Sequence, residues 1–143
     1  MRGSQSASPD SAATPRPRRR FTLSEANRSL PLVRRIVTDI VDTHVKAVAV
    51  QAELGRAASK EQPALQADLE GLLERLEDFV DELTEVGCEL KDYTTGLNDF
   101  TGRHKGHEVC LCWKLGEEQV GHWHELDAGA AGRKPVRTLR EGE

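Results

Sequence analysis

The clearest periodicity in this chain runs through Leu65-Gln-Ala-Asp-Leu-Glu-Gly-Leu-Leu-Glu-Arg-Leu-Glu-Asp-Phe-Val-Asp-Glu-Leu-Thr-Glu-Val-Gly-Cys-Glu-Leu90. Its apolar residues recur at alternating steps of four and three, which is the heptad pattern of a helix with one apolar stripe. Leu73 and Val80 make the stripe wider than a two-stranded coiled coil needs, and the opposite face is rich in Glu and Asp. The stretch therefore predicts a long helix that buries one broad face.

The residues before this stretch predict another long helix. Thr22-Leu-Ser-Glu25 has the form of a capping box, in which a hydroxyl and a carboxylate each accept from a backbone amide. Ser29-Leu-Pro31 is a second start signal, because proline loses nothing by lacking an N–H in the first turn. We expect a short helical turn and then a helix from about Leu30 to Gly55, paired with the heptad helix as an antiparallel hairpin.

The sequence after Asp92 changes to the composition of β-strands. Val, Cys, Trp and His crowd three short segments that glycines separate. The predicted strands are Leu97–Phe100, Glu108–Leu115 and Val120–Leu126. The predicted fold class is thus α+β, with a long antiparallel two-helix hairpin followed by a small three-stranded antiparallel β-meander.

Composition divides the chain into one folded unit and two tails. Residues 1–20 are rich in Ser, Pro and Arg, so we predict a disordered basic tail. Residues 21–132 are long enough for a single α+β domain with its own core. Residues 133–143 are polar again and are predicted to form a flexible C-terminal tail.

The distribution of charge argues against a nucleic-acid-binding protein. Residues 1–20 carry +4 from five Arg and one Asp, but residues 51–100 carry −9 from 13 acidic and 4 basic residues. A domain with this much negative charge would repel the phosphate groups of a nucleic acid. No segment has the ~20 apolar residues of a membrane span. With no secretory signal, and with three cysteines that lack disulfide spacing, we expect a cytoplasmic protein with reduced thiols.

The last two predicted strands gather the residues that could carry chemistry. His122-Trp-His124 places two imidazoles on one side of a strand, about 6.6 Å apart, where both could bind one metal ion. Asp99 on the preceding strand is the expected carboxylate ligand, and Trp113 the expected wall of a pocket. The other histidines that could complete the ligand set are His44, His104 and His107. In the competing interpretation, His122 is a surface residue and His124 a core histidine with a backbone partner.

The pairing of these two strands decides which side chains share a face. If the turn between them holds two or four residues, Trp113 lies opposite His122 and Leu111 opposite His124. Cys110-Leu-Cys112 then presents both thiols on the face away from the histidines. That arrangement argues against a Cys₂His₂ zinc site and against a cysteine nucleophile with a histidine base. A three-residue loop would offset the register by one.

Motifs spread over most of the chain resemble one family. They are Phe21-Thr-Leu-Ser-Glu-Ala-Asn27 with Leu30-Pro31, Gly87-Cys-Glu-Leu-Lys91, Gly96-Leu-Asn-Asp-Phe100, Val109-Cys-Leu-Cys-Trp-Lys-Leu-Gly-Glu117, Trp123-His-Glu-Leu-Asp-Ala-Gly129, Gly132-Arg133 and Pro135. As an assembly they resemble domain of unknown function 2203, a family of small bacterial proteins. The resemblance implies no reaction, but it implies a family pattern that includes Asp99, Trp113, His124 and Arg133. His122 stands where members often carry another aromatic or polar residue, Thr101 replaces a usual proline, and Ala130 replaces a usual aromatic residue.

The first functional hypothesis is a metal- or small-ligand-binding domain. The predicted metal ligands are His124, Asp99 and His122, and the predicted ligand-binding residues are Trp113 and Arg133. The expected cofactor is a divalent transition metal: zinc, iron or manganese. The identity of a small-molecule ligand, and whether the protein is an enzyme, stay open. In an enzyme, a metal-activated water or oxygen species would be the reactive centre.

The second hypothesis is a non-catalytic helical interaction module whose Trp and His residues are structural core. The apolar stripe of the heptad helix would then form a homodimer. The predicted interface residues are Leu69, Leu72, Leu76, Phe79 and Leu83.

Overall fold

Two long helices and one antiparallel sheet make up the computed structural model, which describes residues 19–143. Helix α1 spans Leu23–Leu54 and helix α2 spans Gln62–Val86, with a 3₁₀ turn at Ser59–Glu61 between them. The α+β class is therefore confirmed. The disordered tail predicted for residues 1–20 falls almost wholly outside the described residues. Within the described part of the chain, neither helix is long and apolar enough to cross a membrane.

Helix α1 begins at the predicted capping box and continues through Pro31. Glu25 N donates to Thr22 Oγ1 at 3.0 Å, and Thr22 N donates to Glu25 Oε1 at 2.9 Å. The separate turn expected before Leu30 is part of this same helix. Ala26 and Leu30 are both buried, so the packing of one continuous face outweighs the backbone hydrogen bond that proline removes.

The apolar stripe of α2 packs inside the monomer. The helix ends at Gly87, whose φ of 118° is the left-handed conformation that favours glycine. The residues predicted to form a homodimer interface are buried, or partly buried in the case of Phe79: Leu69, Leu72, Leu76, Phe79 and Leu83. They do not form the exposed seam that a homodimer would need, because α1 covers them with an apolar face of its own.

The sheet has five strands in chain order, which corrects the predicted three-stranded meander. They are β1 (Cys88–Asp92), β2 (Leu97–His104), β3 (His107–Trp113), β4 (His122–Glu125) and β5 (Lys134–Pro135), each antiparallel to its neighbours. Strand β1 was not predicted, because Leu90 continues the heptad period of α2. Strand β5 was not predicted either, because two residues, one of them proline, give no strand signal.

Strands β3 and β4 pair one residue out of the predicted register. Cys110 lies opposite His124, and Cys112 lies opposite His122. The connection 114–121 is hydrogen-bonded to α1 instead of closing as a tight turn, so turn length does not set this register. A shift of one residue exchanges the faces of a strand. The cysteines and histidines therefore share a face, contrary to the prediction.

The two faces of the sheet have different partners. One face packs on the helices in a buried cluster that includes Phe100, Leu111, Trp113 and Trp123. This placement corrects the prediction for Trp113, which lies in the core rather than at the wall of a pocket; its Nε1 donates to Glu117 O at 2.8 Å. We call the opposite face, which carries Asp99, Cys112 and His124, the outer face.

The segment predicted to be a flexible C-terminal tail makes ordered contacts. Lys134–Pro135 pairs with β4, and Trp123 Nε1 donates to Thr138 Oγ1 at 2.9 Å. Leu139 is buried in the main core. We propose that the folded unit extends to about Leu139 instead of ending at Gly132.

Candidate metal centre

Three side chains that can bind a metal converge on the outer face. Asp99, Cys112 and His124 come from β2, β3 and β4, and their ligand atoms all lie within 4.8 Å of one another. Asp99 lies directly opposite Cys112, and His124 lies opposite Cys110, two residues along from Cys112. Their exposed fractions are only 6%, 0% and 3%. The middle strands of the sheet thus hold a carboxylate, a thiol and an imidazole together, away from water.

The ring of His124 is held by the backbone. Its Nδ1 lies 2.8 Å from Glu125 O, and since a carbonyl only accepts, Nδ1 must carry the proton and donate. Nε2 then points at Asp99, 3.3 Å from each carboxylate oxygen. Two acceptors at that distance repel each other unless a proton or a cation lies between them. Histidines that bind metals characteristically donate their other ring N–H to a carbonyl or carboxylate in this way.

The Cys112 thiol has neighbours of both charges. Burial, and to a smaller extent the negative charge of Asp99, raises the pKa of this thiol to about 12, whereas the positive charge of Arg133 lowers it. The group is therefore a neutral thiol at neutral pH in the absence of a cation. Metal binding needs the thiolate, so an ion at this place would have to displace the proton.

Arg133, predicted to bind a ligand, lies beside the cluster and ties two loops together. Its Nη2 is 2.9 Å from both carboxylate oxygens of Glu117, in an ion pair with side chains 18% and 22% exposed. Glu117 precedes β4, and Arg133 follows the 3₁₀ turn Ala130–Gly132 after it. The pair fastens these loops next to the Cys112 thiol, and Arg133 Nη2 donates to the Glu117 carboxylate.

His122 lies on the outer face but outside the close group of three. It is directly opposite Cys112 and half-buried, and its Nδ1 is buried without a hydrogen-bond partner among residues 19–143. Of the three predicted metal ligands, the structure brings together Asp99 and His124. The third member of the group is Cys112, which the sequence interpretation set aside because of its register. The equal spacing of Cys110-Leu-Cys112 and His122-Trp-His124 permits a register in which these four side chains share a face, but it does not select that register.

The remaining histidines have other surroundings. His44 stacks on Tyr93 with ring centroids 5.2 Å apart, and His104 stacks on Trp123 at 4.3 Å. His104 Nδ1 accepts from Arg140 N at 3.0 Å. His107 Nε2 lies 2.9 Å from a carboxylate oxygen of Glu125. These three side chains therefore do not extend the group at Asp99.

A small cavity adjoins the candidate centre. Its volume is about 160 Å³, and its walls include both Asp99 and His124. The other lining residues are Lys91, Leu97, Cys110, Leu126, Gly129 and Ala130. Because Leu126 and Ala130 are exposed, the cavity connects two of the candidate ligands with solvent.

A family model supports the resemblance that the motifs suggested. Residues 19–136 match the family described as "Uncharacterized conserved protein (DUF2203)". No curated protein and no solved structure matches the chain in the corresponding comparisons. The matched range contains all three members of the buried group as well as Arg133. The chain therefore belongs to the DUF2203 family.

Proposed function

We propose that this protein binds a divalent transition metal through Asp99, Cys112 and His124. The observation that carries the proposal is the convergence of three buried donors within 4.8 Å, from three neighbouring strands. The ring of His124 already has the orientation that a metal ligand needs, because Glu125 O accepts from its Nδ1. Ligands on paired strands need little rearrangement on binding, which favours affinity.

The donor set favours zinc. Thiolate and imidazole are ligands that zinc prefers, and a carboxylate oxygen can complete the set. Iron(II) is the second choice, whereas manganese prefers sites made of oxygen ligands. Three protein ligands leave a fourth position open, which is the arrangement of catalytic zinc sites. A water molecule there would be acidified, so metal-assisted hydrolysis is the class of reaction to test first.

The competing interpretation is a structural ion pair. An imidazolium could donate to Asp99 across the 3.3 Å contact, with Cys112 as a small apolar neighbour. Both interpretations place a positive charge between the same atoms. They differ in whether that charge is a proton or a metal ion, which elemental analysis can decide.

The test is the metal content of untagged protein that has been purified without chelators. Plasma mass spectrometry should find about one equivalent of zinc or iron in the natural sequence. Asp99→Asn, Cys112→Ala and His124→Gln should each lose it. Cys88→Ala is the matched control, because Cys88 is also a buried thiol but lies outside the group. Absence of metal from the natural protein, even after incubation with excess zinc, would contradict the proposal.

A second candidate function, a helical interaction module, is favoured by exposed apolar side chains on both helices. Val45 is 61% exposed and Val48 53% on α1, and Leu73 is 49% exposed on α2. A self-associating surface on the helices would use exposed residues such as these, because the predicted interface is buried. Light scattering of the protein and of Leu73→Glu tests this function. A monomer in both samples would rule out a homodimer through this surface.

A further inference from the structure

We infer that the cavity beside Asp99 and His124 binds a short-chain carboxylate, such as acetate or propionate, at the open position of the metal. This inference rests on the proposed function, because the ion supplies the strongest contact. It adds the class of ligand, the residues that select it and an upper limit on its size.

The volume sets the size limit. A cavity of about 160 Å³ holds roughly five water molecules, each of which takes about 30 Å³ in the liquid. Pockets for drug-sized molecules are larger, at roughly 300–1,000 Å³. The cavity therefore encloses a ligand of about five non-hydrogen atoms, and an aromatic acid would leave part of its ring in solvent beside the exposed Leu126 and Ala130.

The side chains that line the cavity favour a ligand with an aliphatic chain over an inorganic ion. Leu97 and Leu126 present hydrocarbon side chains to the cavity, and Ala130 presents a methyl group. A short alkyl chain would bury apolar surface against them. An ion such as phosphate would place polar oxygens against these hydrocarbon surfaces, which donate no hydrogen bonds.

The charged residues that line the cavity favour a ligand with one anionic end. Lys91 is the cation in the cavity lining, and Asp99 would have its charge engaged by the ion. Lys91 Nζ also lies 3.3 Å from a carboxylate oxygen of Glu89, but both side chains are about half exposed, so that ion pair holds the ammonium group only weakly. A carboxylate bound to the ion would therefore gain from Lys91 at the rim.

The experiment uses the full chain loaded with cobalt(II), whose visible absorption reports on its coordination. Stoichiometric cobalt uptake that is lost in Cys112→Ala establishes the metal site first. Acetate and propionate should then change the spectrum in a saturable way, and benzoate should do so only at higher concentration. Inorganic phosphate should bind more weakly than acetate.

Two pairs of variants test the residues that line the cavity. Lys91→Gln should weaken acetate binding about fivefold, from the loss of one nearby charge, whereas Lys105→Gln in the β2–β3 turn should have no effect. Ala130→Phe should fill the cavity and abolish acetate binding with cobalt uptake intact. Its control is Ala131→Phe, which changes an exposed neighbour outside the lining.

The outcomes separate the inference from the proposed function. No cobalt uptake overturns the metal site itself. Uptake without any response to acetate overturns only the ligand inference. Phosphate binding as tight as that of acetate, or equal binding of benzoate, overturns the carboxylate class or the size limit. Unchanged acetate affinity in both Lys91→Gln and Ala130→Phe would show that the ligand binds elsewhere.

Discussion

Asp99 and Cys112 are direct cross-strand partners on β2 and β3, and both side chains are buried on the outer face. Such a carboxylate is costly to bury beside another acceptor unless a positive charge compensates it. A proton or a cation between Asp99 and His124 Nε2, which are 3.3 Å apart, would supply that compensation. This relationship leads to the first prediction, because a metal ion there would couple three strands.

Metal removal should lower thermal stability. Zinc at one hundred times its Kd would stabilise the folded protein by about 2.7 kcal/mol, which for a domain of this size raises Tm by roughly 10 °C. Calorimetry before and after treatment with a chelator measures the shift. In Asp99→Asn the shift should be close to zero. An equal shift in that variant would place the ion at other residues.

The helices could be predicted because their signals are local. The capping box at Thr22 and Glu25 specifies its own hydrogen bonds, and the heptad period specifies the buried face of α2. Strand β1 could not be separated from α2 by periodicity, because Leu90 has the spacing of the next heptad residue. The decisive signal was Gly87, since its left-handed conformation stops the helix.

The candidate site could be predicted only in part because it depends on register. Asp99 and His124 were expected to be ligands from their residue types and from the family resemblance. Cys112 joins them only when β3 and β4 pair with His122 opposite Cys112. The connection 114–121 sets that pairing through contacts with α1, such as the 2.7 Å bond from Val120 N to Asn27 Oδ1. No local pattern in β3 or β4 records this long-range contact.

Asn98→Leu should stabilise the protein. Asn98 is fully buried on the helix-facing side of β2, and neither its Oδ1 nor its Nδ2 has a partner among the described residues. A buried amide without partners costs about 1–3 kcal/mol. A leucine has the same branched shape but is larger, so it should raise the free energy of unfolding in urea titrations by less than this cost, because tighter packing offsets part of the gain. A decrease would mean that the amide is satisfied in solution, for example by a buried water.

Stability should fall at alkaline pH because of Cys88. Burial raises the pKa of this thiol from 9.0 to about 12. A raised pKa means that folding favours the protonated form, so this stabilisation is complete below about pH 9 and is lost as the pH rises towards 12. Urea unfolding at pH 8 and pH 10.5 measures the loss. Cys88→Ala should show a smaller decrease between the same two pH values, and an equal decrease would assign the effect to other groups.

Two glycines in and after α2 should respond to alanine in opposite ways. Gly71 lies inside the helix, and a Cβ there would meet nothing within 4 Å. Gly71→Ala should raise the free energy of unfolding by about 0.5–1 kcal/mol through the helix propensity of alanine.

Gly87 has φ 118°, and a Cβ there would lie 3.0 Å from the Phe21 ring. Gly87→Ala should lower stability by at least 1 kcal/mol, as chemical denaturation can measure.

The ion pair between Arg133 and Glu117 should be energetically coupled. Both side chains are more than three-quarters buried, and Nη2 lies 2.9 Å from each carboxylate oxygen. Removing Glu117 would leave a buried guanidinium with a lost partner, which is strongly destabilising. A double-mutant cycle with Glu117→Gln and Arg133→Met should give a coupling energy of about 1–3 kcal/mol.

The matched control for that cycle is the ion pair of Arg20 and Glu108. Its atoms are 3.6 Å apart, and its side chains are 55% and 38% exposed. Exposed pairs are typically worth about 0.2–1 kcal/mol, so Arg20→Met with Glu108→Gln should show the smaller coupling. If the two cycles agree, burial beside the Cys112 thiol contributes nothing to the Arg133 pair. If only the Arg133 cycle gives a large coupling energy, the metal content of Glu117→Gln should also be measured. Loss of the ion pair should loosen the two loops beside Cys112 and weaken metal binding without removing a ligand.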